Sequence, residues 1–152
     1  MIVMKFGGTS TQDAEAISNV VRIVTEHRNS KPVLVISAIA QATNVLEQAG
    51  KLASAGRAGE GLDGLLKLFE RHYAIVDLLI KDRQRHLELR KILAASLGEL
   101  EELVKGVAIL RELTARTLDT FYSYGELLSS RIVAAALEEI GIGAEWLDSK
   151  DF

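Results

Sequence analysis

The sequence predicts an α/β fold with parallel strands and an all-helical excursion, and three observations lead to this prediction. An apolar segment opens the chain at residues 1–6, and a second, rich in β-branched residues, follows Pro32 at residues 33–37. Between them, residues 10–28 carry apolar side chains at helical spacing. Strand, helix and strand in this order form a βαβ unit, which implies parallel pairing and a right-handed crossover.

The next elements are a short helix and a break. A helix is expected from about residue 44 to residue 55, with Asn44 and Glu47 in the register of a helix cap and its partner. Four glycines lie within residues 56–64. This glycine density predicts a flexible break between this helix and the second half of the chain.

The second half of the chain is predicted to be mainly helical. Residues 65–118 have an almost continuous helical pattern, which we interpret as a helical insertion of two or three helices. A further helix should run over residues 124–140, end at Gly141 as a C-cap glycine, and lead into a third strand at residues 144–147. The insertion has weak breaks near Asp82, Gly98 and Gly106.

Composition excludes several classes of function. The chain has 152 residues, 48% of them apolar, which suits one globular unit with a real core. A net charge of -3 gives no general attraction to nucleic acid or to an anionic membrane. No apolar run approaches the roughly 20 residues of a membrane span, and the start lacks the basic region of a signal peptide. We therefore expect a cytoplasmic protein with neither a nucleic-acid nor a membrane partner.

Metal and thiol chemistry are not predicted. The sequence has no cysteine, which excludes disulfides, thiolate nucleophiles and cysteine zinc sites. The three histidines have no partner at metal-ligand spacing, so we expect surface or helix-flank positions and no metal site. They are His27, His72 and His86.

The hexapeptide KFGGTS, directly after the first strand, has the features of an anion-binding site. Glycine lets a ligand approach the main chain closely, and amide groups at a helix start favour negative charge, so phosphate suits the site. An alternative stays open: the segment is a tight turn in which Thr9 with Gln12, or Ser10 with Asp13, forms a capping box. The pattern is neither the Walker nor the GxGxxG motif. The six residues are Lys5, Phe6, Gly7, Gly8, Thr9 and Ser10.

Three local signals together resemble the N-terminal part of the aspartate kinase family, within the amino-acid kinase superfamily. The resemblance covers essentially the whole chain, and the KFGGTS hexapeptide is its most specific part. The second signal, which follows the second strand, is Ser37-Ala38 with Thr43-Asn44. The third, which is expected to open the last helix, is Ser123-Tyr124-Gly125-Glu126 with Ser129.

The resemblance implies both a fold and a reaction. The fold is an amino-acid kinase-like three-layer α/β/α arrangement with parallel central strands and a helical insertion at about 65–118. Residues 1–152 would form the N-terminal portion of an incomplete domain, without the regulatory ACT domains. The reaction is transfer of the ATP γ-phosphoryl group to the side-chain carboxylate of L-aspartate, giving 4-phospho-L-aspartate for lysine, threonine and methionine biosynthesis. Mg²⁺ is expected with ATP, although no ligand for it is identifiable.

The resemblance also assigns residue roles. Lys5 would be catalytic, and residues 5–10 would bind the ATP phosphates through the lysine and directed amides. Thr43 and Ser37 would contact the amino-acid substrate, and Glu126 would hold its ammonium group. Each has a structural alternative: Thr43 as a helix-cap hydroxyl, and Glu126 as the partner of Ser123 in a capping box.

Lys150 departs from the family pattern. It stands where the family usually has an arginine that binds the α-carboxylate of the substrate. Lysine keeps the charge but lacks the planar fork that makes two parallel hydrogen bonds. The substitution puts substrate affinity or identity in question.

Two further expectations and three alternatives complete the sequence-based interpretation. The chain alone should have little or no kinase activity, and an uncovered sheet edge predicts self-association or a homo-oligomer. One alternative is another superfamily kinase, acting on glutamate, carbamate or a nucleoside monophosphate. Another is a bifunctional aspartate kinase fused to homoserine dehydrogenase. The third is a non-catalytic helical module that binds a partner through apolar stripes: Leu65, Leu68 and Phe69, with Leu87 and Ile92.

Overall fold

The structure is a computed structural model that describes residues 1–149. In this range, two strands flank the first α-helix, and four further α-helices follow. In order, they are β1 (Ile2–Phe6), α1 (Ala14–Glu26), β2 (Pro32–Ile36), α2 (Ala42–Ser54), α3 (Ala58–Leu79), α4 (Arg83–Leu110) and α5 (Ala115–Glu139).

The two strands pair in parallel, as the βαβ pattern predicted. The register runs from Ile2 opposite Pro32 to Phe6 opposite Ile36. Alternate side chains of each strand pack into the helical core, whereas those between them are exposed. Within residues 1–149, the helices therefore cover one face of the sheet. The exposed face carries Val3, Lys5, Val33 and Val35.

The first helix begins later than the sequence suggested. Residues 8–11 form a single 3-10 turn, in which the Ser10 amide donates to the Gly7 carbonyl oxygen at 2.9 Å. The α-helix starts at Ala14, and the side chain of Asp13 caps it by accepting a hydrogen bond from the Ala16 amide at 2.8 Å. The capping boxes suggested for Thr9 and Ser10 are therefore wrong, because Asp13 supplies the acceptor that the first turn of α1 needs.

The predicted cap of α2 is also wrong. This helix begins at Ala42, two positions before Asn44, directly after Gln41 in the left-handed conformation with φ 70°. Asn44 then lies inside the first turn, where its Nδ2 donates to Gln41 Oε1 at 2.8 Å. The polar side chain thus stabilises the helix start without capping it.

The glycine-rich break at residues 56–64 is mostly helix. Only Gly56 has positive φ, at 81°, and α3 begins at Ala58. A Cβ at Gly61 would lie 3.0 Å from the carbonyl oxygen of Ala49, so glycine permits close packing of α3 on α2. Close helix packing, which local propensity does not encode, explains why this segment stays helical.

The two longest helices have boundaries that the sequence identified only in part. The break near Asp82 is confirmed, since its side chain caps α4 by accepting from the Arg85 amide at 2.8 Å. By contrast, Gly98 and Gly106 lie within α4, and their positions show no break. Helix α5 starts at Ala115 rather than at residue 124, and Thr114 caps it.

The C-terminal end of α5 agrees with its prediction. Gly141 has φ 79°, and its amide donates to the Glu138 carbonyl oxygen at 3.0 Å. The next amide, of Ile142, donates to the Leu137 carbonyl oxygen at 3.0 Å. This pair of bonds is a Schellman motif, for which glycine is the preferred residue.

The third strand predicted at residues 144–147 is not formed. Residues 142–148 alternate between exposed and half-buried, as in a strand, yet the described residues provide them with no strand partner. Trp146 instead rests on α5: its indole nitrogen donates to Ser130 Oγ at 2.9 Å, and the Arg131 guanidinium stacks 3.6 Å from the ring centre. Side-chain packing therefore replaces ladder hydrogen bonds here.

The helical core bears on one alternative and corrects one expectation. Leu65, Leu68 and Phe69 are buried, so these three residues are core and not a partner-binding surface, whereas Leu87 is exposed. His72 is also fully buried, contrary to its expected surface position, and its Nδ1 lies 2.8 Å from the Leu68 carbonyl oxygen. Across the part of the chain that the structure describes, no helix is long and apolar enough to cross a membrane.

Candidate functional site

A polar cavity of about 330 Å³ lies at the carboxyl ends of the two parallel strands. Ligands commonly bind at this edge of open α/β sheets. Three distant segments of the chain meet there: the turn after β1, the loop and first turn after β2, and the middle of α5. The lining residues are Gly8, Ser37, Ala38, Ile39, Ala40, Gln41, Thr43, Asn44 and Glu126.

The loop after β2 is fixed by two fully buried hydroxyl groups. Ser129 Oγ donates to the Ser37 carbonyl oxygen at 2.8 Å, and Thr11 Oγ1 lies 3.2 Å from the Ala38 carbonyl oxygen. Arg71 of α3 reaches the same loop and donates to the Ala40 carbonyl oxygen at 3.1 Å. Three different elements thus hold one wall of the cavity in place.

Two glycines let the neighbouring elements approach this loop. A Cβ at Gly8 would lie 3.1 Å from the Ala38 carbonyl oxygen, and one at Gly125 would lie 2.7 Å from the Ala38 Cβ. A Cβ at Gly125 would force the two elements apart, whereas one at Gly8 would require the Ala38 carbonyl group to move by a few tenths of an ångström. Close packing on Ala38 is therefore the physical reason for a glycine at each position.

Glu126 lies on the cavity wall and not at a helix start. It is in the middle of α5, whose cap is Thr114, so the capping-box alternative with Ser123 is excluded. Its Oε1 is 3.5 Å from the Ala38 amide nitrogen, and the side chain is otherwise exposed to the cavity. An exposed carboxylate in this position can bind a ligand cation.

Thr43 and Ser37 also line this cavity. Thr43 is the second residue of α2, and the N-cap of that helix is Gln41. Its hydroxyl is therefore not occupied as the N-cap, and the residue is exposed. The structure thus brings Ser37, Thr43 and Glu126 together around one space.

The KFGGTS segment is only partly within this cavity. Gly8 lines it, whereas Lys5 lies on the exposed face of β1, opposite Val35 in the neighbouring strand. Amides at the start of a helical turn have no partner within the turn, and those of Gly8 and Thr9 occupy this position. Lys150 lies outside the described residues.

Potential metal ligands do not cluster in the described part of the chain. Within residues 1–149, no group of three or more His, Asp or Glu side chains is placed to hold an ion. In phosphoryl transfer, Mg²⁺ commonly relies on phosphate oxygens for much of its coordination.

A larger cavity, of about 540 Å³, lies elsewhere and has a different character. It is a mainly apolar groove between α1, the end of α3 and the end of α5, with Val21, Leu78 and Leu79 among its lining residues. Size alone does not identify a site of chemistry. The smaller cavity is the stronger candidate because backbone, hydroxyl and carboxylate groups converge on it.

Sequence reasoning missed the roles of Thr11, Arg71 and Gln41 at this site. For Thr11, the sequence offered one signal: it is a hydroxyl residue directly after the KFGGTS segment. Its role nevertheless depends on burial, which the sequence does not show. Arg71 had no signal, since its contact with Ala40 depends on how α3 crosses α2. Gln41 also had no signal, because its positive φ is imposed by the turn between β2 and α2.

Comparison with known proteins identifies the class to which this fold and site belong. The whole chain, residues 1–152, matches the profile of the amino acid kinase family, so the chain belongs to this family. Within it, the sequence is similar to aspartokinases. It is 38% identical over 149 residues to aspartokinase 1, chloroplastic, of Arabidopsis thaliana, a match that covers 97% of this chain and 25% of the relative.

Bacterial aspartokinases are similar in both sequence and structure. The lysine-sensitive aspartokinase 3 of Escherichia coli is 28% identical, over 97% of this chain and 31% of the relative. The crystal structure of E. coli aspartokinase III in complex with lysine and aspartate superposes with a TM-score of 0.82 at 28% identity, covering 97% of this chain and 31% of that one. The α/β fold with parallel strands is thus the amino-acid kinase fold, and the chain spans about a quarter to a third of the length of these relatives.

Proposed function

We propose that this chain forms the amino-acid-binding part of an aspartokinase. In the proposed reaction, a side-chain carboxylate oxygen of L-aspartate attacks the γ-phosphorus of ATP, and the bond to the ADP oxygen breaks. The product is 4-phospho-L-aspartate. The observation that carries the proposal is that Ser37, Thr43 and Glu126 line one cavity at the carboxyl ends of the strands. A solved E. coli relative, with a TM-score of 0.78, contains aspartate and ADP.

The cavity suits a small zwitterion. Glu126 supplies a negative charge for the substrate ammonium group, while Thr43 and Ser37 supply hydroxyl donors for carboxylate oxygens. A carboxylate accepts hydrogen bonds and an ammonium donates them, so this pairing fixes the orientation of the substrate. A ligand without the ammonium group would leave the Glu126 carboxylate unpaired.

The phosphates belong beside the turn after β1. Both reactants are anionic, so catalysis consists mainly of charge neutralisation and in-line positioning. We assign the ATP phosphates to the amides of Gly7, Gly8 and Thr9, with Phe6 and Ser10 flanking them. Lys5 would neutralise the phosphate oxygens, and its exposed side chain next to this turn supports that role. Gly8 connects the two regions, because it also lines the amino-acid cavity.

The proposal includes several further features of the complete protein. ATP is the phosphoryl donor and Mg²⁺ accompanies it, held largely by phosphate oxygens. Lys150 binds the α-carboxylate of the substrate as a single positive charge. A homo-oligomer and a cytoplasmic location also belong to the proposal, although the Arabidopsis relatives are described as chloroplastic.

Two related functions remain alternatives. A bifunctional aspartokinase/homoserine dehydrogenase of Arabidopsis is 29% identical over 98% of this chain, so a bifunctional protein shares this portion of sequence. Other kinases of the family act on different acidic substrates. Glu126 favours an amino acid with an unblocked ammonium group over a carbamate or a nucleoside monophosphate.

The test is ADP release from the complete gene product, with and without L-aspartate, beside the 152-residue chain. The proposal expects aspartate-dependent release by the complete protein and little or none by the chain. Succinate, which lacks the ammonium group, serves as the control substrate and should be poorly phosphorylated. A complete protein that ignores aspartate would refute the proposal, and the other acidic substrates would be tested next.

A further inference from the structure

Two buried hydroxyls hold the loop on which the proposed substrate site depends. Thr11 and Ser129 are both 0% exposed, and they belong to the turn after β1 and to α5. A buried hydroxyl is costly without a hydrogen-bond partner, so its contacts indicate where it is needed. Both find partners in the peptide groups of residues 37 and 38.

The Ser129 hydroxyl lies closer to a carbonyl oxygen of the loop after β2 than to one of its own helix. Its Oγ is 2.8 Å from the Ser37 carbonyl oxygen but 3.2 Å from that of Glu126, one turn earlier in α5. A serine hydroxyl has one hydrogen to donate, and the shorter, non-helical contact has the better geometry. Most helical serines can bond to a preceding carbonyl of their own helix, so a partner 92 positions away in the sequence sets Ser129 apart.

The geometry of one peptide group connects this hydroxyl with the cavity. In a trans peptide the carbonyl and the following N–H point in opposite directions. When Ser129 holds the Ser37 carbonyl, the Ala38 N–H is directed the other way, where Glu126 Oε1 lies at 3.5 Å. Ser129 and Glu126 are one helical turn apart on α5, so they hold the two ends of the same peptide group.

Thr11 holds the next carbonyl along the loop. Its Oγ1 is 3.2 Å from the carbonyl oxygens of both Ala38 and Gly8 and 3.4 Å from that of Ser37, and its one hydrogen is donated to one of these acceptors at a time. A single hydroxyl therefore connects the turn after β1 to the loop after β2. Rotation of the loop peptides would break this contact as well as that of Ser129.

We propose that Thr11 and Ser129 are positioning residues that orient the Ala38 N–H toward the cavity beside Glu126. The amide then donates to a carboxylate oxygen of the substrate, while Glu126 accepts from its ammonium group. The 3.5 Å contact to Glu126 is at the limit of a hydrogen bond, so a bound carboxylate displaces it readily. This inference rests on the proposed aspartate site and adds the residues that set its geometry.

The test uses the complete gene product and two matched pairs of variants. Thr11→Val keeps the shape and removes the hydroxyl, whereas Thr11→Ser keeps the hydroxyl. Ser129→Ala removes the second hydroxyl, and Ser18→Ala is its control, because the Ser18 hydroxyl bonds only to Ala14 of its own helix at 2.8 Å. Backbone NMR follows amide hydrogen exchange at Ala38, and titration with L-aspartate gives the dissociation constant.

We expect exchange at Ala38 to be faster by about fivefold or more in Thr11→Val and Ser129→Ala, which is the effect of losing one hydrogen bond. Aspartate should bind these two variants more weakly by a similar factor, while Thr11→Ser and Ser18→Ala behave as the unaltered chain. Exchange of the Ile132 amide, in the core of α5, should stay unchanged and exclude general unfolding. Unchanged exchange at Ala38, or unchanged affinity, would overturn the inference. Absence of aspartate binding to the unaltered complete protein would instead refute the proposed function, and the two failures are distinguishable because the exchange measurement needs no ligand.

Discussion

Gly125 of α5 packs directly against Ala38, so closely that a Cβ at Gly125 would lie 2.7 Å from the Ala38 Cβ. Ala38 is itself buried and lines the proposed substrate cavity. The contact therefore sets the distance between α5, which carries Glu126, and the loop after β2. Because Gly125 has no side chain, α5 can approach the loop closely enough to form the proposed site.

Replacement of Gly125 with alanine should destabilise the fold and distort the site. The added methyl group must displace the Ala38 loop or α5, and overpacking of this kind costs about 1–3 kcal/mol in the free energy of unfolding. Gly98→Ala is the control, because a Cβ there meets nothing within 4 Å and alanine favours a helix by up to about 1 kcal/mol. Urea denaturation measures both, and equal stabilities of the two variants would contradict the packing argument.

The grouping of three proposed site residues was more predictable from sequence than the helix boundaries. The family resemblance groups Ser37, Thr43 and Glu126, and they meet because α5 packs against the loop at the strand ends of a parallel βαβ unit. The starts of α1 and α5 were placed wrongly because several hydroxyl and carboxylate residues compete for each cap. Tertiary packing decides between them, as Asp13 and Thr114 show.

Other errors come from contacts between elements distant in sequence. The glycines near residue 60 suggested a break, but Gly61 serves close packing against Ala49. Residues 144–147 alternate like a strand, yet a strand also needs a neighbour to pair with. His72 looked like a surface residue because a single histidine gives no sign of burial.

Glu126→Gln should weaken L-aspartate binding while leaving the fold stable. The amide keeps the size of the side chain but removes the charge that the proposed ammonium contact needs, and a charge-assisted hydrogen bond is worth about 1.5–3 kcal/mol. Calorimetric titration should thus give a dissociation constant raised about tenfold or more. Glu102→Gln, at an exposed position on α4, is the matched control. Equal affinity in both variants would remove Glu126 from the proposed site.

Lys5→Ala should abolish most of the turnover of the complete protein without unfolding it. Lys5 is exposed on β1, so truncation leaves no cavity in the core. Loss of a positive charge beside the transferred phosphoryl group raises the activation barrier. The expected fall in kcat is on the order of 10²-fold or more. Lys31→Ala, at an exposed position before β2, is the control. Turnover that survives Lys5→Ala would exclude this lysine from the mechanism.

The cap of α5 provides a test of where that helix begins. Thr114 Oγ1 accepts from the Thr117 amide at 3.1 Å, so Thr114→Ala should lower the free energy of unfolding by about 1 kcal/mol. Thr120→Ala is the control, since its hydroxyl bonds only to Arg116 of the same helix and its loss should cost less than about 0.5 kcal/mol. Chemical denaturation compares the two. A helix that began near residue 124 would instead tolerate both changes equally.

His72 should make the stability of the fold fall as the medium becomes acidic. Burial lowers the pKa of its imidazole from 6.5 to about 4, and its Nε2 has no hydrogen-bond partner among the described residues. Below pH 6.5 the His72 imidazole is protonated in the unfolded chain, whereas in the folded chain it stays neutral until about pH 4. Stability from this group is thus complete above pH 6.5 and is lost progressively between pH 6.5 and 4, by about 3 kcal/mol in all.

The variant His72→Leu isolates this contribution from that of the carboxylates. Leucine has a similar volume and does not titrate, so the carboxylate contributions are common to both proteins and cancel in the difference between them. The free energy of unfolding of each protein is measured from pH 7.5 to pH 4. As the pH falls, the difference between them should change in favour of His72→Leu. A difference that stays constant over this range would show that His72 is protonated in the folded protein as readily as in the unfolded chain. Its burial would then not be what lowers the acid stability.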